Sequence, residues 1–416
     1  MLDRMRPFVR MHYFEVALGC FGLSFLLLPS AKSVNNFFYA FVALPGFFLL
    51  WRRALQLPWR DSGFRLFLAW LAYGVGSGIV QGDAFHMAKT GLYVFLFYSV
   101  LILAVDVSWW KSESFKRAAF WLALIYVLFS SIYLWLTGAY GFGERTIFMP
   151  ARLENPNYIS MLLVSLWALA AEDWLARKRY WEILLAALLL LFFVVFSLQS
   201  RTGLVGFCAV LVLLLWRWRP RASLGILAVV AALTSAYLGL TGGVDALHDW
   251  SFVARGDSYR LELWAKLLGE MQDCGSLFGC GYGYEIQSSL EGGSMPIAHS
   301  HSIFLAQALK TGLFGLSLLL AMSLYSLIRG WRTAGSWALY LAASMIMLNF
   351  DGNTLIHSPD DPWLLFHWPL AVLIALNAQR PHERPGDADQ GAPSFAARAP
   401  LAPLDDARPV HTPGQQ

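Results

Sequence analysis

The sequence predicts an all-α polytopic membrane protein with about twelve transmembrane helices, and three observations predict it. Charged residues make up 14% of the 416, where soluble chains carry about 25%. Hydrophobic residues make up 57% and aromatic residues 15%, with a mean hydropathy of +0.51. A soluble fold cannot hide that much apolar surface, whereas a bilayer requires it. Apolar runs of bilayer-crossing length also recur along the chain without the alternation of barrel strands. A bilayer core has no water for unpaired backbone groups, so these spans are helices. The formal charge of +4 is only mildly basic, and no nucleic-acid partner is expected; where the charges sit matters more than their sum.

Runs of roughly 17–25 apolar residues fall near 12–28, 34–51, 64–80, 88–107, 118–138, 157–171, 181–198, 202–216, 222–240, 302–328, 335–350 and 363–378. The sixth, eighth and eleventh are short. The first follows Arg4, Arg6 and Arg10 but shows no small-residue cleavage site after it, so it is expected to be retained. Lys and Arg gather in alternate loops: Arg52, Arg53 and Arg60; Lys111, Lys116 and Arg117; Arg177, Lys178 and Arg179; Arg217, Arg219 and Arg221; Arg329 and Arg332. The opposite loops hold scattered cations, chiefly Lys32, Arg145, Arg152, Arg201, Arg255, Arg260 and Lys266. Positive charge stays on the cytoplasmic side, which puts both termini inside.

Four segments follow. Residues 1–240 carry the first nine spans, 241–301 form one large outer loop containing helix, 302–379 carry the last three spans, and 380–416 form a cytoplasmic tail. The tail is rich in Pro, Ala, Gly, Asp and Arg without an apolar period, which is the composition of a disordered extension. Its Asp387-Ala388-Asp389 has the look of a sugar-nucleotide metal motif, but lies across the membrane from the other candidates. Cys20 and Cys208 fall within spans and read as small hydrophobes. Cys274 and Cys280 share the outer loop, where an oxidising compartment permits a disulfide although the gap would close a tight loop.

The residues that carry chemistry face outward. Asp257 or Ser258 can cap a helix running through Tyr259, Arg260, Leu261, Leu263, Trp264, Leu267, Leu268 and Met271. Its apolar period predicts a helix lying against the membrane domain or in the interface. Arg260 falls in its first turn, where a guanidinium joins the free amides of a helix N-terminus in a favourable place for phosphate. Contact with lipid headgroups is the plainer reading. Arg201, in Gln199-Ser200-Arg201-Thr202-Gly203, sits between two spans with almost no loop. A charge there is costly unless it is paired, snorkelling or facing a cavity.

Arg152 precedes Glu154-Asn155-Pro156-Asn157, whose asparagines supply turn and cap chemistry, and Arg152 can pair with Glu154. His299-Ser300-His301-Ser302 leads into Phe304, Leu305 and a helix continuing past Gly312. The two histidines share one side of an extended chain. One reading is a structural cap; the other is a neutral histidine that accepts a proton. Two imidazoles without a well-spaced carboxylate or thiolate set make metal binding the weaker reading. The stretch from Gly279 to Gly283 lacks a βαβ context and reads as a tight turn that lets backbone come close to something. Asp351, and Asp360 with Asp361, fall in the last outer loop and read as a solvated turn with a helix cap.

In their order, these pieces resemble the O-antigen ligase and polymerase superfamily of bacterial envelope glycosyltransferases. They are Arg152 with Asn155-Pro156-Asn157, then Ser200-Arg201-Thr202-Gly203, the outer helix with Arg260 and Trp264, the Gly279–Gly283 turn, and His301 through Leu305 to Gly312. The resemblance covers about residues 140–330 and reaches the first five spans only in hydropathy. In that family the histidine belongs to a His-Asn or His-Ser pair followed by a leucine four residues on. His301-Ser302 with Leu305 fits; the fourth residue after His299 is Ile303. Within the superfamily the chain is most similar to the lipopolysaccharide O-antigen ligases, which suit a single long outer loop between spans nine and ten.

The resemblance implies a GT-C-like architecture in the bacterial inner membrane with a periplasmic active site. A glycan would move from undecaprenyl diphosphate to a lipid A–core sugar hydroxyl, with inversion and without metal or other cofactor. The expected partners are that donor, that acceptor and membrane lipids. Arg201 and Arg260 would hold the diphosphate, with Arg152, Asn155, Asn157 and His299 contributing to the donor site. His301 would take the acceptor proton, with His299 as its understudy and Glu154, Asp257 or Asp351 as fallback bases. Fixed donors aimed at developing charge each lower a barrier by roughly 2.7–4 kcal/mol, so two or three arginines can replace a cation. The alternatives are an O-antigen polymerase, a protein O-oligosaccharyltransferase or, from another class, a lipid-linked oligosaccharide transporter. A transporter needs a polar path through both leaflets and often an internal repeat; no obvious repeat is found.

Overall fold

The computed structural model describes residues 12–141, 144–147, 153–218, 260–290, 295–297 and 299–379. The chain divides into two units, Met1–Ala378 and Gln379–Gln416, and every helix below belongs to the first. In order these are α1 (Tyr13–Leu27), α2 (Ala31–Gln56), α3 (Ser62–Val80), α4 (Ala84–Leu103), α5 (Val107–Lys111), α6 (Glu113–Leu136), α7 (Pro156–Ala176), α8 (Tyr180–Ser197) and α9 (Arg201–Trp218). Then come α10 (Arg260–Cys274), a two-stranded ribbon of β1 (Ser289–Leu290) and β2 (Met295–Pro296), α11 (Ile303–Thr333), α12 (Gly335–Asp351) and α13 (Trp363–Ala378).

Among the described residues, eight helices are long and apolar enough to cross a membrane: α2, α3, α4, α6, α7, α8, α9 and α11. Helices α1 and α13 are shorter and apolar. Helix is found at eleven of the twelve expected runs; the ninth, 222–240, lies outside the described residues, as does the tail from 380. The chain is a multi-pass membrane protein. Many large apolar side chains remain on the surface of these helices, among them Trp51, Phe85, Phe129, Leu136, Trp181 and Ile328; in a bilayer such a surface costs nothing.

Helix α12 is the centre of the bundle, packed along α7, α9 and α11. It meets α7 through a buried Ser165–Ser344 hydroxyl pair at 2.8 Å, and apolar residues of both helices, among them Leu163, Val164, Leu341 and Leu348, are buried. The sixth expected span, 157–171, is extended in α7 to Ala176 because the acids that end the apolar run are paired. Glu172 meets Arg217 at 2.6 Å and Asp173 meets Lys116 at 2.8 Å. Arg177 with Glu113 (2.6 Å) and Arg329 with Asp61 (3.4 Å) join them at the same end of the bundle. The cations that gather in alternate loops therefore share one end. Arg201 and His301 stand at the opposite end, since α9 and α11 run between Arg201 and Arg217 and between His301 and Arg329.

One long helix carries a designed break. Within α11, Gly312 has φ 64 and ψ −171, which opens the hydrogen-bond ladder. The turn after α10 fills the gap. Cys280 and Gly281 donate to the carbonyls of Leu309 and Lys310, both at 2.7 Å, while Leu313 and Phe314 donate to Ser276 and Leu277 at 2.9 and 3.1 Å. A Cβ on Gly312 would run into the Leu277 backbone, so glycine is needed for its conformation and for the close approach. This is the partner that the Gly279–Gly283 turn implied. Cys274 and Cys280 are joined in a disulfide that closes the same turn.

Candidate active site at one end of the bundle

Arg145, Asn157, Gln199, Arg201, Thr202, Arg260, His301 and Asp351 line a cavity of about 200 Å³. They come from six separate stretches of sequence, and local structure explains how they arrive.

Asn155 is the N-cap of α7: its side chain accepts from the Asn157 backbone N–H at 2.9 Å, with Pro156 in the first helical position. Asn155 is exposed and stays off the cavity wall, while Asn157 is turned into it. The α8–α9 junction reverses at Gln199, which has φ 45. Ser200 then accepts from Gly203 N–H at 3.1 Å and from the Ser160 hydroxyl at 2.7 Å. Gly203 lies against Ser160, where a Cβ would sit 2.6 Å from its Oγ. Arg201 thus begins α9 facing the cavity rather than snorkelling away from it.

Helix α10 buries Leu263, Leu267 and Met271 against Ala308 and Leu309 of α11 while Leu261 and Leu268 stay exposed. It therefore lies on the bundle, with Arg260 at its start. Its Trp264 Nε1 donates to the Ser300 carbonyl at 3.2 Å and so pins the histidine segment. His301 has φ 52. Ser302, next to it, caps α11 by accepting from Leu305 N–H at 3.3 Å and donates to Asn349 Oδ1 at 2.9 Å. Among the described residues, two of the three non-glycine residues with positive φ, Gln199 and His301, line this cavity. Backbone strain of this kind costs of order 1–3 kcal/mol and clusters where geometry matters for function.

Asp351 is not in a solvated turn. It ends α12 only 4% exposed, with His301 Nδ1 at 2.9 Å from Oδ1 and the Asn157 amide on Oδ2. A buried carboxylate is retained when it is hydrogen-bonded and charge-paired, and both conditions hold here. Burial lowers the pKa of Arg145 and Arg260; the Asp351 charge opposes that shift and Arg201 adds to it. Guanidinium remains charged nonetheless. His299 lies beside His301, ring centroids 3.8 Å apart. Burial first, and His301 second, push its pKa below the usual histidine value, with Asp351 opposing.

Of the residues expected from sequence, Arg201, Arg260, His301 and Asn157 share the cavity, His299 stands behind His301, and Asn155 caps a helix. Arg152, Asp257 and Ser258 lie outside the described residues. Sequence reasoning missed Arg145, Gln199 and Thr202 as lining residues. Arg145 was visible only as one scattered cation of the outer loops, and no motif marks it. Among the described residues no group of three or more His, Cys, Asp or Glu side chains is gathered.

Fold and site together define a multi-pass helical membrane protein with a cationic, histidine-containing cavity at one end of its bundle. Residues 186–320 match the family described as O-antigen ligase. Over 362 residues the chain is 27% identical to an O-antigen ligase of Pseudomonas aeruginosa, covering 83% of this chain and 86% of that relative. The chain is thus similar to O-antigen ligases along most of its length. The matched segment contains Arg201, Arg260 and His301, whereas Arg145, Asn157 and Asp351 fall outside it.

Proposed function

We propose that the chain is an O-antigen ligase that transfers a glycan from undecaprenyl diphosphate to a sugar hydroxyl of lipid A–core. The observation that carries this reading is the convergence of Arg201, Arg260 and His301 on one cavity, with Asp351 bonded to His301. Among the described lining residues, three guanidinium groups against one carboxylate leave a surplus of two positive charges, the complement of a diphosphate diester. The acceptor oxygen attacks the anomeric carbon as the bond to the diphosphate oxygen breaks, and the electron pair leaves on the diphosphate. Arg201 and Arg260 stabilise that charge, which fixed donors in a partly dry site do effectively. His301 Nε2 takes the acceptor proton while Nδ1–H donates to Asp351. A single displacement inverts the anomeric centre and needs no metal. Arg152 would assist with the diphosphate, as the resemblance implies, and His299 stands beside His301 in this reading.

The cation-rich end of the bundle faces the cytoplasm, by the distribution of positive charge, and the cavity faces the periplasm. A disulfide on the cavity side suits an oxidising compartment. The buried packing of α7 against α12 beneath the cavity favours chemistry at the membrane surface over carriage across it.

The test uses purified protein in nanodiscs with undecaprenyl-diphosphate-linked glycan and lipid A–core, with and without EDTA. The expected outcome is a mobility shift of the acceptor that survives EDTA. Lengthening of the donor glycan alone would make the chain a polymerase, and the absence of both products would overturn the enzyme reading.

A further inference from the structure

Arg145 belongs to none of the motifs above, yet it begins a hydrogen-bonded chain that ends at His301. The short segment around it is held against the end of α8: Thr146 N–H donates to the Ser197 carbonyl at 2.8 Å, and Arg145 Nε donates to the Leu198 carbonyl at 3.3 Å. Arg145 Nη2 then donates to Asn157 Oδ1 at 3.1 Å, Asn157 Nδ2 donates to Asp351 Oδ2, and Asp351 Oδ1 lies 2.9 Å from His301 Nδ1. The direction of this chain is not arbitrary. Guanidinium has donors only, so the side of Asn157 that meets it must be the carbonyl. The amide NH2 is thereby turned to Asp351, whose carboxylate accepts, and the Asp351 oxygen left over calls for a donor from His301.

We propose that Arg145 is a positioning residue that, through Asn157 and Asp351, fixes His301 as the Nδ1–H tautomer and leaves Nε2 to receive the acceptor proton. This rests on the reading of His301 as the base. The charged and titratable groups that face or border His301 among the described residues are Asp351, Arg145, Arg201, Arg260 and His299, and Asp351 and Arg145 join it by hydrogen bonds through this chain.

The experiment is nitrogen-15 histidine NMR on the protein in proteoliposomes, with His301 assigned among the nine histidines by its loss in His301→Gln. The unaltered protein is expected to show the Nδ1–H form for His301. Arg145→Lys, still a pure donor, keeps it. Arg145→Gln, which can accept as well as donate, lets Asn157 turn its carbonyl to Asp351; the repelled carboxylate lets go of His301, which moves toward Nε2–H. With it, kcat falls about tenfold, the worth of one charge-assisted hydrogen bond, and donor KM changes little. Asn157→Asp leaves Arg145 in place but sets a second carboxylate against Asp351, pushing it off His301, and should give the same tautomer shift. An unchanged His301 tautomer in Arg145→Gln and Asn157→Asp overturns the proposal, as does a loss confined to donor KM, which would make Arg145 a plain diphosphate contact. Full turnover by His301→Gln would instead sink the base assignment while leaving the tautomer result standing.

Discussion

His301 Nδ1 and Asp351 Oδ1 lie 2.9 Å apart, joining residues 50 positions distant in the chain. The bond connects the segment before α11 to the last residue of α12, and it ties the candidate base to the middle of the bundle. A histidine held by a buried carboxylate has one ring nitrogen committed and the other directed at the cavity.

Replacing Asp351 by Asn keeps the volume and removes the charge. Ligation by Asp351→Asn is expected to fall by about 10²–10⁴-fold in kcat, the range for losing a general base or the group that orients it. Membrane insertion and expression should match the unaltered chain. Near-normal turnover would remove Asp351 from the mechanism.

In the proposed mechanism, Arg201→Ala and Arg260→Ala each delete one donor to the departing diphosphate. Each is expected to lower kcat by about 10²–10³-fold. Lysine at either position should restore only part, because an ammonium cannot reproduce a two-pronged contact. Ligation at ordinary rates by both alanine proteins would end the charge-stabilising assignment.

His299 gives a pH prediction. Burial and the neighbouring His301 depress its folded pKa, so between that value and about 6.5 the unfolded chain binds more protons than the folded one. Its contribution to stability is therefore complete above about pH 6.5 and is lost as pH falls through the depressed folded value. Thermal unfolding of His299→Gln in detergent, scanned from neutral to acid pH, should show a smaller acid-side loss than the unaltered chain. Parallel curves would refute it.

The Cys274–Cys280 bridge closes a loop of sequence separation 6. Chain-entropy reasoning for so short a loop gives a stabilisation of about 2 kcal/mol. A Cys274→Ser, Cys280→Ser double variant should unfold at lower temperature and make the unaltered protein's response to reductant disappear. The turn it closes also supplies the hydrogen bonds that fill the Gly312 break, so faster amide exchange at Leu313 and Phe314 should accompany the loss.

Much of this protein was legible in one dimension. Hydropathy alone marks membrane helices, since a bilayer imposes a length and a polarity on every crossing segment. Arg201, Arg260 and His301 could be singled out because each sits beside a local signal: a loop too short to hide a charge, a helix start, a His-Ser cap. Asn155 and Asn157 looked alike in sequence, and the fold separated them, one as a cap and the other as a cavity group.

Only the tertiary structure decided the rest. Asp351 read as a loop carboxylate because nothing local distinguishes a solvated turn from a helix end facing a partner 50 residues away. Arg145 had no motif at all; its place comes from the Ser197 and Leu198 carbonyls that hold its segment and from the amide it meets on α7. The sequence by itself determined the bilayer-spanning helices and the cations and histidine near their ends, because those follow from transfer free energies and local capping. Which of them share a cavity, and in which direction its hydrogen bonds run, depended on α7, α9 and α12 packing side by side, and that contact is not written in any single segment.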